Sequence, residues 1–210
     1  MFSKYDYIIW DWNGTLFNDV VVCSQIINGI LIKYGYPGLT LERYRNIFTF
    51  PVVDYYREAG FDFSVHPFEI VGKEWMDIYE QRKGECAVFP EVFEVLDYFK
   101  SKGKKQFILS AYKQDQLQSI VNKFEITGYF DKILGLDNIW AHSKLDLGKD
   151  LLTNLNHGGK AILIGDTLHD HEVAVELGID SVLVNTGHQT HERLIKSGVK
   201  VFNGLKELMG

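Results

Sequence analysis

Five polar residues of this chain stand at positions where α/β proteins place reactive groups. Asp11, Ser110 and Asp166 each lie at the end of a short apolar run. Asp170 follows Asp166 by four residues, which places both carboxylates on one helix face. Lys144 precedes a helical stretch, 22 residues before Asp166. A single Asp after a strand is usually a turn or cap residue, but all five together predict one crevice that handles a small charged ligand.

The apolar runs that precede these residues are continuous rather than alternating, which is typical of strands buried on both faces of a sheet. From about residue 88 onward the runs alternate with helical stretches, such as the one that Pro90 opens and Gly103 ends. This alternation predicts the α/β fold class, with a Rossmann-like parallel sheet and helices on both of its faces. The predicted strands are Tyr7–Trp10, Gln106–Leu109, Lys132–Leu134, Ala161–Ile164 and Ser181–Val184.

Residues 17–86 interrupt this alternation, because they contain helical patterns and no convincing strand. A small helical unit inserted after the first strand explains the interruption. We therefore predict a core domain of residues 1–16 and 87–210 that carries a helical cap domain of residues 17–86. The predicted cap helices are Val20–Tyr34, Leu41–Phe50, Pro51–Ala59 and Pro67–Arg82.

The composition excludes several classes of protein. With 22 Lys and Arg against 28 Asp and Glu, the net charge is −6, which disfavours a nucleic-acid partner. The most apolar long stretch, Val20–Ile32, is too short and too polar to span a membrane, and we expect no signal peptide in the first residues. Cys23 and Cys86 are expected to be buried free thiols. These features predict a soluble, cytoplasmic protein without a membrane partner; monomer and homodimer both stay open.

Four segments in chain order resemble the motifs of the haloacid dehalogenase-like (HAD) hydrolases. The first motif of that family, DxDGT-L, is similar to Asp11–Leu16, and the strand-end Ser of the second is similar to Leu109–Ala111. Lys144 resembles the third motif, and Gly165–Asp170 the fourth, GDxxxD. The helical insertion directly after the first motif is similar to the C1-capped branch, which includes phosphoglycolate phosphatases and β-phosphoglucomutases.

The resemblance implies a Mg²⁺-dependent hydrolase of phosphomonoesters. In the family, the strand-end Asp attacks phosphorus and becomes an aspartyl-phosphate, so that one hard displacement becomes two. Asp11 would be this nucleophile. Mg²⁺, the implied cofactor, prefers carboxylate, carbonyl and water oxygens. The implied protein ligands are Asp11, the backbone carbonyl of Asn13 and Asp166, with Asp170 in the ligand shell or just outside it.

The resemblance also implies a binding site for the phosphate of a small phosphorylated metabolite. Ser110 and Lys144 would hold the non-bridging phosphate oxygens. The backbone N–H groups of Trp12 and Ala111 would complete this site. Lys149 is a rival for the motif lysine, but Lys144 is favoured because it precedes its helix, although the proline that usually follows this lysine is absent.

The chain departs from the family pattern at Asn13, where phosphatases of the family usually carry a second Asp. That carboxyl protonates the leaving oxygen and then deprotonates the attacking water, and an amide does neither. Its loss typically costs about 10²–10⁴-fold. A slower phosphatase, an enzyme for good leaving groups, a long-lived phospho-enzyme, a binding protein without catalysis and an engineered Asp→Asn trap all stay open. A mutase is disfavoured, because it needs the same carboxyl.

Four histidines could be considered as substitutes for the missing acid. They are interpreted here as solvated residues on a helix start and a loop. They are His169, His171, His188 and His191.

The predicted cap supplies candidates for substrate specificity. Arg45, Arg57 and the aromatic segment 48–56 could meet a leaving group, although solvated arginines and a cap core are the simpler interpretation.

The predicted function, implied by the four motifs, is a phosphatase that resembles phosphoglycolate phosphatase. A 2-haloacid dehalogenase, which needs no metal, is less compatible with the carboxylates of Asp166 and Asp170; a phosphate-ligand-binding protein of low activity is the other alternative.

Overall fold

The computed structural model describes residues 1–137, 143–155 and 158–210. In chain order the strands of these ranges are β1 (Tyr7–Trp10), β2 (Phe17–Asn18), β3 (Ala87–Val88), β4 (Lys105–Lys113), β5 (Lys132–Leu136), β6 (Ala161–Gly165), β7 (Asp180–Val184) and β8 (Val201–Phe202). Six of them form one sheet in the order β5-β4-β1-β6-β7-β8, and each neighbouring pair is parallel. The predicted α/β fold with a parallel sheet is confirmed.

Helices cover both faces of this sheet, and alternate residues of β1 explain why. Ile8 and Trp10 lie in one apolar core, and Tyr7 and Ile9 lie in the other. Both cores exclude water, so the run shows no polar alternation. The helices of the described ranges are α1 (Val20–Lys33), α2 (Leu41–Ile47), α3 (Val52–Ala59), α4 (Phe68–Arg82), α5 (Val92–Ser101), α6 (Gln114–Lys123), α7 (Lys144–Thr153), α8 (Leu168–Leu177) and α9 (His191–Leu194). Residues of α5 and α6 belong to the first core, and residues of α7 and α8 to the second.

The central position of β1 brings the predicted reactive residues to one edge. Trp10 at the end of β1 is in register with Ile108 of β4 and with Ile164 of β6. The chain segments that follow these three residues therefore reach the same carboxyl edge of the sheet. β4 continues past its predicted end to Lys113, with a register shift against β5 after Leu109. Ser110 thus lies inside an irregular part of the strand.

The insertion after β1 contains α1 to α4, close to the predicted helices, except that α2 ends at Ile47 rather than Phe50. β2 and β3 pair as a short antiparallel ribbon, with Phe17 opposite Val88. The sequence did not predict this ribbon, because two residues carry no periodicity. The ribbon joins the outgoing and returning chain of the insertion.

Two predictions from composition bear on the fold. Cys23 and Cys86 are buried free thiols, as expected. No helix in the described ranges combines the length and apolarity needed to cross a bilayer.

Candidate active site

Three buried carboxylates and one buried ammonium meet at the carboxyl edge of the sheet. Oxygens of Asp11, Asp166 and Asp170 lie within 4.8 Å of one another. Lys144 Nζ donates to Asp11 Oδ1 at 2.5 Å and to Asp170 Oδ1 at 2.6 Å. None of the four residues is more than 8% exposed, so water screens their charges poorly. The structure thus brings together four residues that the sequence assigned to one crevice.

The start of α7 positions Lys144. Ser143 Oγ accepts from the Asp146 N–H at 3.1 Å, and the Ser143 N–H donates to Asp146 Oδ2 at 3.1 Å. This capping box fixes the first turn of the helix, and the Lys144 side chain reaches into the carboxylate cluster. Lys149, the rival in the sequence, is exposed farther along the same helix.

Asp170 serves the start of α8 and the cluster at once. Its Oδ2 accepts from the Thr167 N–H at 3.0 Å and from Thr167 Oγ1 at 2.7 Å, while its Oδ1 contacts Lys144. A Cβ at Gly165 would lie only 2.2 Å from Asp170 Cγ, so a larger residue there would displace the carboxylate. The Gly and the last Asp of this motif are therefore linked by steric contact.

Contacts that the sequence analysis did not predict complete the surroundings of Asp166. Thr15 Oγ1 lies 3.0 Å from Asp166 Oδ1 and 3.3 Å from Asp11 Oδ2, so its single hydrogen lies between these two carboxylates, with the shorter contact to Asp166. The backbone N–H of His188 donates to Asp166 Oδ2 at 2.6 Å. A Cβ at Gly187 would lie 1.9 Å from that oxygen, so glycine is required for the approach. A glycine shortly after the buried run of β7 is the signal that could have indicated this loop.

Burial and mutual repulsion govern the protonation of the cluster. Burial, together with repulsion by the other two carboxylates, raises the pKa of Asp11 to about 7 despite Lys144. Burial, with repulsion by Asp170, also raises the pKa of Asp166 to about 6. Burial acts on Asp170 in the same direction, but attraction by Lys144 outweighs it and lowers the pKa of Asp170. Three ionised carboxylates against one lysine leave two negative charges uncompensated.

A divalent cation fits this donor set. Carboxylate oxygens are the protein ligands that Mg²⁺ prefers, and one divalent ion would balance the charge that Lys144 leaves. Burial and repulsion between the carboxylates raise the pKa values of Asp11 and Asp166, and the positive charge of a bound cation would offset both effects. Asp11, Asp166 and Asp170 are therefore the residues that would hold such an ion.

We expect the metal-free protein to lose thermal stability between about pH 5 and about pH 8, and Mg²⁺ to restore more of it at the higher pH. A carboxyl with a raised pKa stabilises the fold fully below its ordinary value of 3.8, and this contribution is lost as the pH rises through about 6 for Asp166 and about 7 for Asp11. The pKa of Asp170 is shifted in the opposite direction, so the stability that this carboxylate contributes is lost only in acid. Thermal unfolding followed by circular dichroism, with EDTA or Mg²⁺, measures both effects. Asp166→Asn should remove most of the Mg²⁺ effect, and an equal Mg²⁺ effect at both pH values would contradict the assignment.

The amide of Asn13 is held by two buried partners. Its Nδ2 donates to Asp19 Oδ2 at 2.7 Å and to Tyr79 Oη at 2.8 Å. Tyr79 Oη in turn donates to the same Asp19 oxygen at 2.7 Å. Burial would raise the pKa of Asp19, but its hydrogen bonds and the nearby His188 lower it. A buried, ionised carboxylate therefore lies directly behind Asn13.

The interpretation of the four histidines as solvated is wrong for His188 and incomplete for the others. His188 is buried, its Nδ1 lies 2.7 Å from Tyr44 Oη, and its ring stacks on Phe48. His169, His171 and His191 are partly buried. Residues of the 17–86 insertion cover the loop that carries His188, and the sequence gives no local signal of this contact.

The proposed phosphate-binding residues lie at the same edge. Ser110 is buried, and its Oγ accepts from the Tyr112 N–H at 3.1 Å. Ala111 is exposed. Trp12 is fully buried, and its ring stacks on Phe17 with 5.3 Å between the centroids. Its side chain therefore belongs to the core, which leaves only its backbone as a ligand group.

The two arginine candidates of the insertion differ in their surroundings. Arg57 is exposed and pairs with Asp54, as the simpler interpretation expected. Arg45 instead donates through Nη2 to Asn185 Oδ1 and to the Gln189 carbonyl, both at 2.9 Å. It thus fastens the insertion to the core loop beside the cluster.

Comparisons with known proteins identify a family and several relatives that this chain is similar to. A family model described as haloacid dehalogenase-like hydrolase matches residues 8–184. A protein named "Probable phosphatase IndB" from Dickeya dadantii is 29% identical over 161 residues, which is 75% of this chain and 66% of the relative. A phosphoglycolate phosphatase from Caulobacter vibrioides is 25% identical over 191 residues, 86% of this chain and 79% of the relative.

Solved structures show the same fold. A haloacid dehalogenase-like family hydrolase from Streptococcus pneumoniae superposes with a TM-score of 0.82 at 21% identity, over 100% of this chain and 98% of that one. At this identity the likeness concerns the fold, and the chemistry rests on the residues of the site.

Proposed function

The chain belongs to the haloacid dehalogenase-like hydrolases, and we propose that it is a Mg²⁺-dependent phosphatase of small phosphomonoesters. The observation that carries this proposal is the buried cluster of Asp11, Asp166 and Asp170 against Lys144. Its excess negative charge calls for a cation, which dehalogenation at carbon does not need. The names of the two curated relatives support the substrate class, since one is a phosphoglycolate phosphatase.

In the proposed reaction a carboxylate oxygen of Asp11 attacks phosphorus, and the bond from phosphorus to the ester oxygen breaks. Water then attacks the resulting aspartyl-phosphate, which releases inorganic phosphate with the protons of that water and regenerates the carboxylate. Mg²⁺, when bound, supplies positive charge to the phosphate oxygens. Lys144 adds a fixed positive charge in direct contact with Asp11.

Ser110, Lys144 and the backbone N–H groups of Trp12 and Ala111 are the proposed phosphate ligands. The buried Ser110 hydroxyl at the carboxyl edge supports its part. Residues 17–86 are the proposed cap on a core of residues 1–16 and 87–210. The burial of the whole carboxylate cluster supports a cap that moves to admit substrate.

Asn13 shapes the expected substrate preference. Without a carboxyl at this position, the leaving oxygen must take its proton from water. Esters whose leaving groups are stable as anions should therefore react much faster than simple alkyl phosphates. This preference separates a slow phosphatase from a protein that has lost catalysis, because the latter would release phosphate from neither class.

We expect Mg²⁺-dependent phosphate release from p-nitrophenyl phosphate and weaker release from phosphoglycolate. Phosphate release from a panel of monoesters, with Mg²⁺ or with EDTA, measures both rates. Asp166→Asn is the matched variant, since it removes one cation ligand and keeps the side-chain shape. Chloride release from 2-chloropropionate without any phosphate release would instead indicate a dehalogenase. If the protein releases neither chloride nor phosphate, a binding role is favoured.

A further inference from the structure

We propose that Asp19 is a positioning residue for Asn13, which it orients so that the amide offers its carbonyl oxygen, and not its NH₂ group, to the reaction. This inference rests on the proposed function and deepens it. Asn13 is then the acceptor that orients the attacking water. The carboxylate of Asp19 does not contact this water itself but acts through its hydrogen bond with the Asn13 amide.

The hydrogen-bond partners of Asn13 allow only one orientation of its side-chain amide. Asn13 Nδ2 lies 2.7 Å from Asp19 Oδ2 and 2.8 Å from Tyr79 Oη, so its NH₂ group donates toward this pair of oxygens. The single hydroxyl hydrogen of Tyr79 goes to Asp19, so its oxygen accepts from Asn13. A flipped amide would place Oδ1 at 2.7 Å from a carboxylate oxygen with no hydrogen between them. The flip would therefore be strongly unfavourable.

Asp19 can impose this orientation because it is itself fixed. It is 1% exposed, and Cys23 Sγ lies 3.4 Å from the oxygen that binds Asn13. Its other oxygen lies 3.4 Å from His188 Nε2. Asp19 precedes α1 and Tyr79 belongs to α4, whereas His188 belongs to the core. Contacts from the insertion and the core thus hold one carboxylate behind Asn13.

The amide oxygen is then the group that Asn13 offers to a ligand. It points away from Asp19 and Tyr79, and within the described ranges no protein donor contacts it. An amide oxygen accepts a hydrogen bond from water but does not take the proton. It can therefore orient the water that attacks the aspartyl-phosphate, while the proton leaves with the phosphate product.

The pairing predicts that Asp at position 13 does not help unless position 19 changes as well. Asn13→Asp alone would bring two buried carboxylates to hydrogen-bond distance, so the pair would either repel or hold one proton between them that is not free for catalysis. Combining it with Asp19→Asn exchanges amide and carboxylate and restores a donor to the pair. On an alkyl phosphate, we expect the exchanged enzyme to exceed Asn13→Asp alone by about tenfold or more in kcat, because a general acid is worth about 10²–10⁴-fold.

The test is a double-mutant cycle over Asn13→Asp, Asp19→Asn and their combination, read by kcat on alkyl and aryl phosphates and by thermal unfolding. Asn13→Asp should lower the melting temperature, and the exchange should recover it. Asp19→Ala should let the amide rotate, slow hydrolysis of the aspartyl-phosphate and raise the steady-state level of phospho-enzyme. Asp115→Ala, which removes an exposed carboxylate paired with Lys113 and has no contact with Asp19, is the control and should leave the phospho-enzyme level unchanged.

The two readouts separate failure of this inference from failure of the proposed function. Additive melting temperatures, or an Asn13→Asp enzyme as fast as the exchanged one, would overturn the role of Asp19. If the melting temperatures of the cycle are strongly non-additive but no variant releases phosphate, the coupling between Asn13 and Asp19 is supported and the proposed phosphatase function is overturned. Asp19→Ala with an unchanged phospho-enzyme level would overturn the effect on water.

Discussion

Replacing Asp11 by Asn is expected to reduce phosphate release on the order of 10⁴-fold or more, because the amide cannot form the covalent intermediate. The substitution conserves shape, so Lys144 keeps its contact with Asp170 and the phosphate ligands stay in place. Phosphate release with Mg²⁺, together with ³²P labelling of the protein after acid quench, measures the loss. Wild type should carry acid-stable, alkali-labile label, and the variant none.

The same variant should be at least as stable as wild type in the absence of metal. Burial and neighbouring carboxylates raise the pKa of Asp11 to about 7, so above that pH the folded protein holds a buried negative charge that destabilises it relative to the unfolded chain. Removing the charge relieves this repulsion, and the melting temperature at about pH 8 should rise or stay unchanged. Asp115→Asn, at an exposed carboxylate paired with Lys113, is the matched control and should change neither activity nor stability. Full activity of Asp11→Asn would eliminate Asp11 as nucleophile.

Much of the fold could be predicted because its signals are local. A continuous apolar run such as Tyr7–Trp10 indicates a strand buried on both faces, and a carboxylate directly after it lies at the carboxyl edge. Parallel register then brings the ends of β1, β4 and β6 together without further information. The cluster of Asp11, Asp166 and Lys144 follows from strand ends and helix starts; in the structure Lys144 contacts Asp11, and oxygens of Asp11 and Asp166 lie within 4.8 Å of each other.

The surroundings of Asn13 could not be predicted, because they depend on packing between distant segments. Tyr79 reaches Asn13 across 66 residues, from the last turns of α4. The sequence predicts a solvated loop histidine at His188, yet Tyr44 and Phe48 cover its ring in the structure. Position and rotation of helices in the insertion decide these contacts, and no periodicity in the sequence encodes them. The sequence shows that Asn13 departs from the family pattern, but it does not show that Asp19 is the hydrogen-bond partner of Asn13.

Replacing Lys144 by Met is expected to destabilise the metal-free protein by about 3–5 kcal/mol at about pH 8, and to abolish measurable phosphate release. The lysine is 5% exposed and touches Asp11 and Asp170, so its removal leaves buried carboxylates without their cation. Burial alone would lower the pKa of Lys144, but the two carboxylates raise it, and the charge persists across the working range. Denaturant unfolding measures the loss. Lys149→Met, at an exposed position of the same helix, should have little effect.

The dependence on pH and metal distinguishes lost charge from lost packing. Methionine keeps much of the lysine stem, so a packing defect would cost the same at every pH. If the missing charge is the cause, the destabilisation should shrink at about pH 5, where Asp11 and Asp166 take up protons. Mg²⁺ should narrow the difference from wild type as well, because a divalent cation supplies part of the positive charge that the variant lacks. A loss that changes with neither pH nor Mg²⁺ would assign Lys144 to packing, and would remove it from the proposed phosphate site.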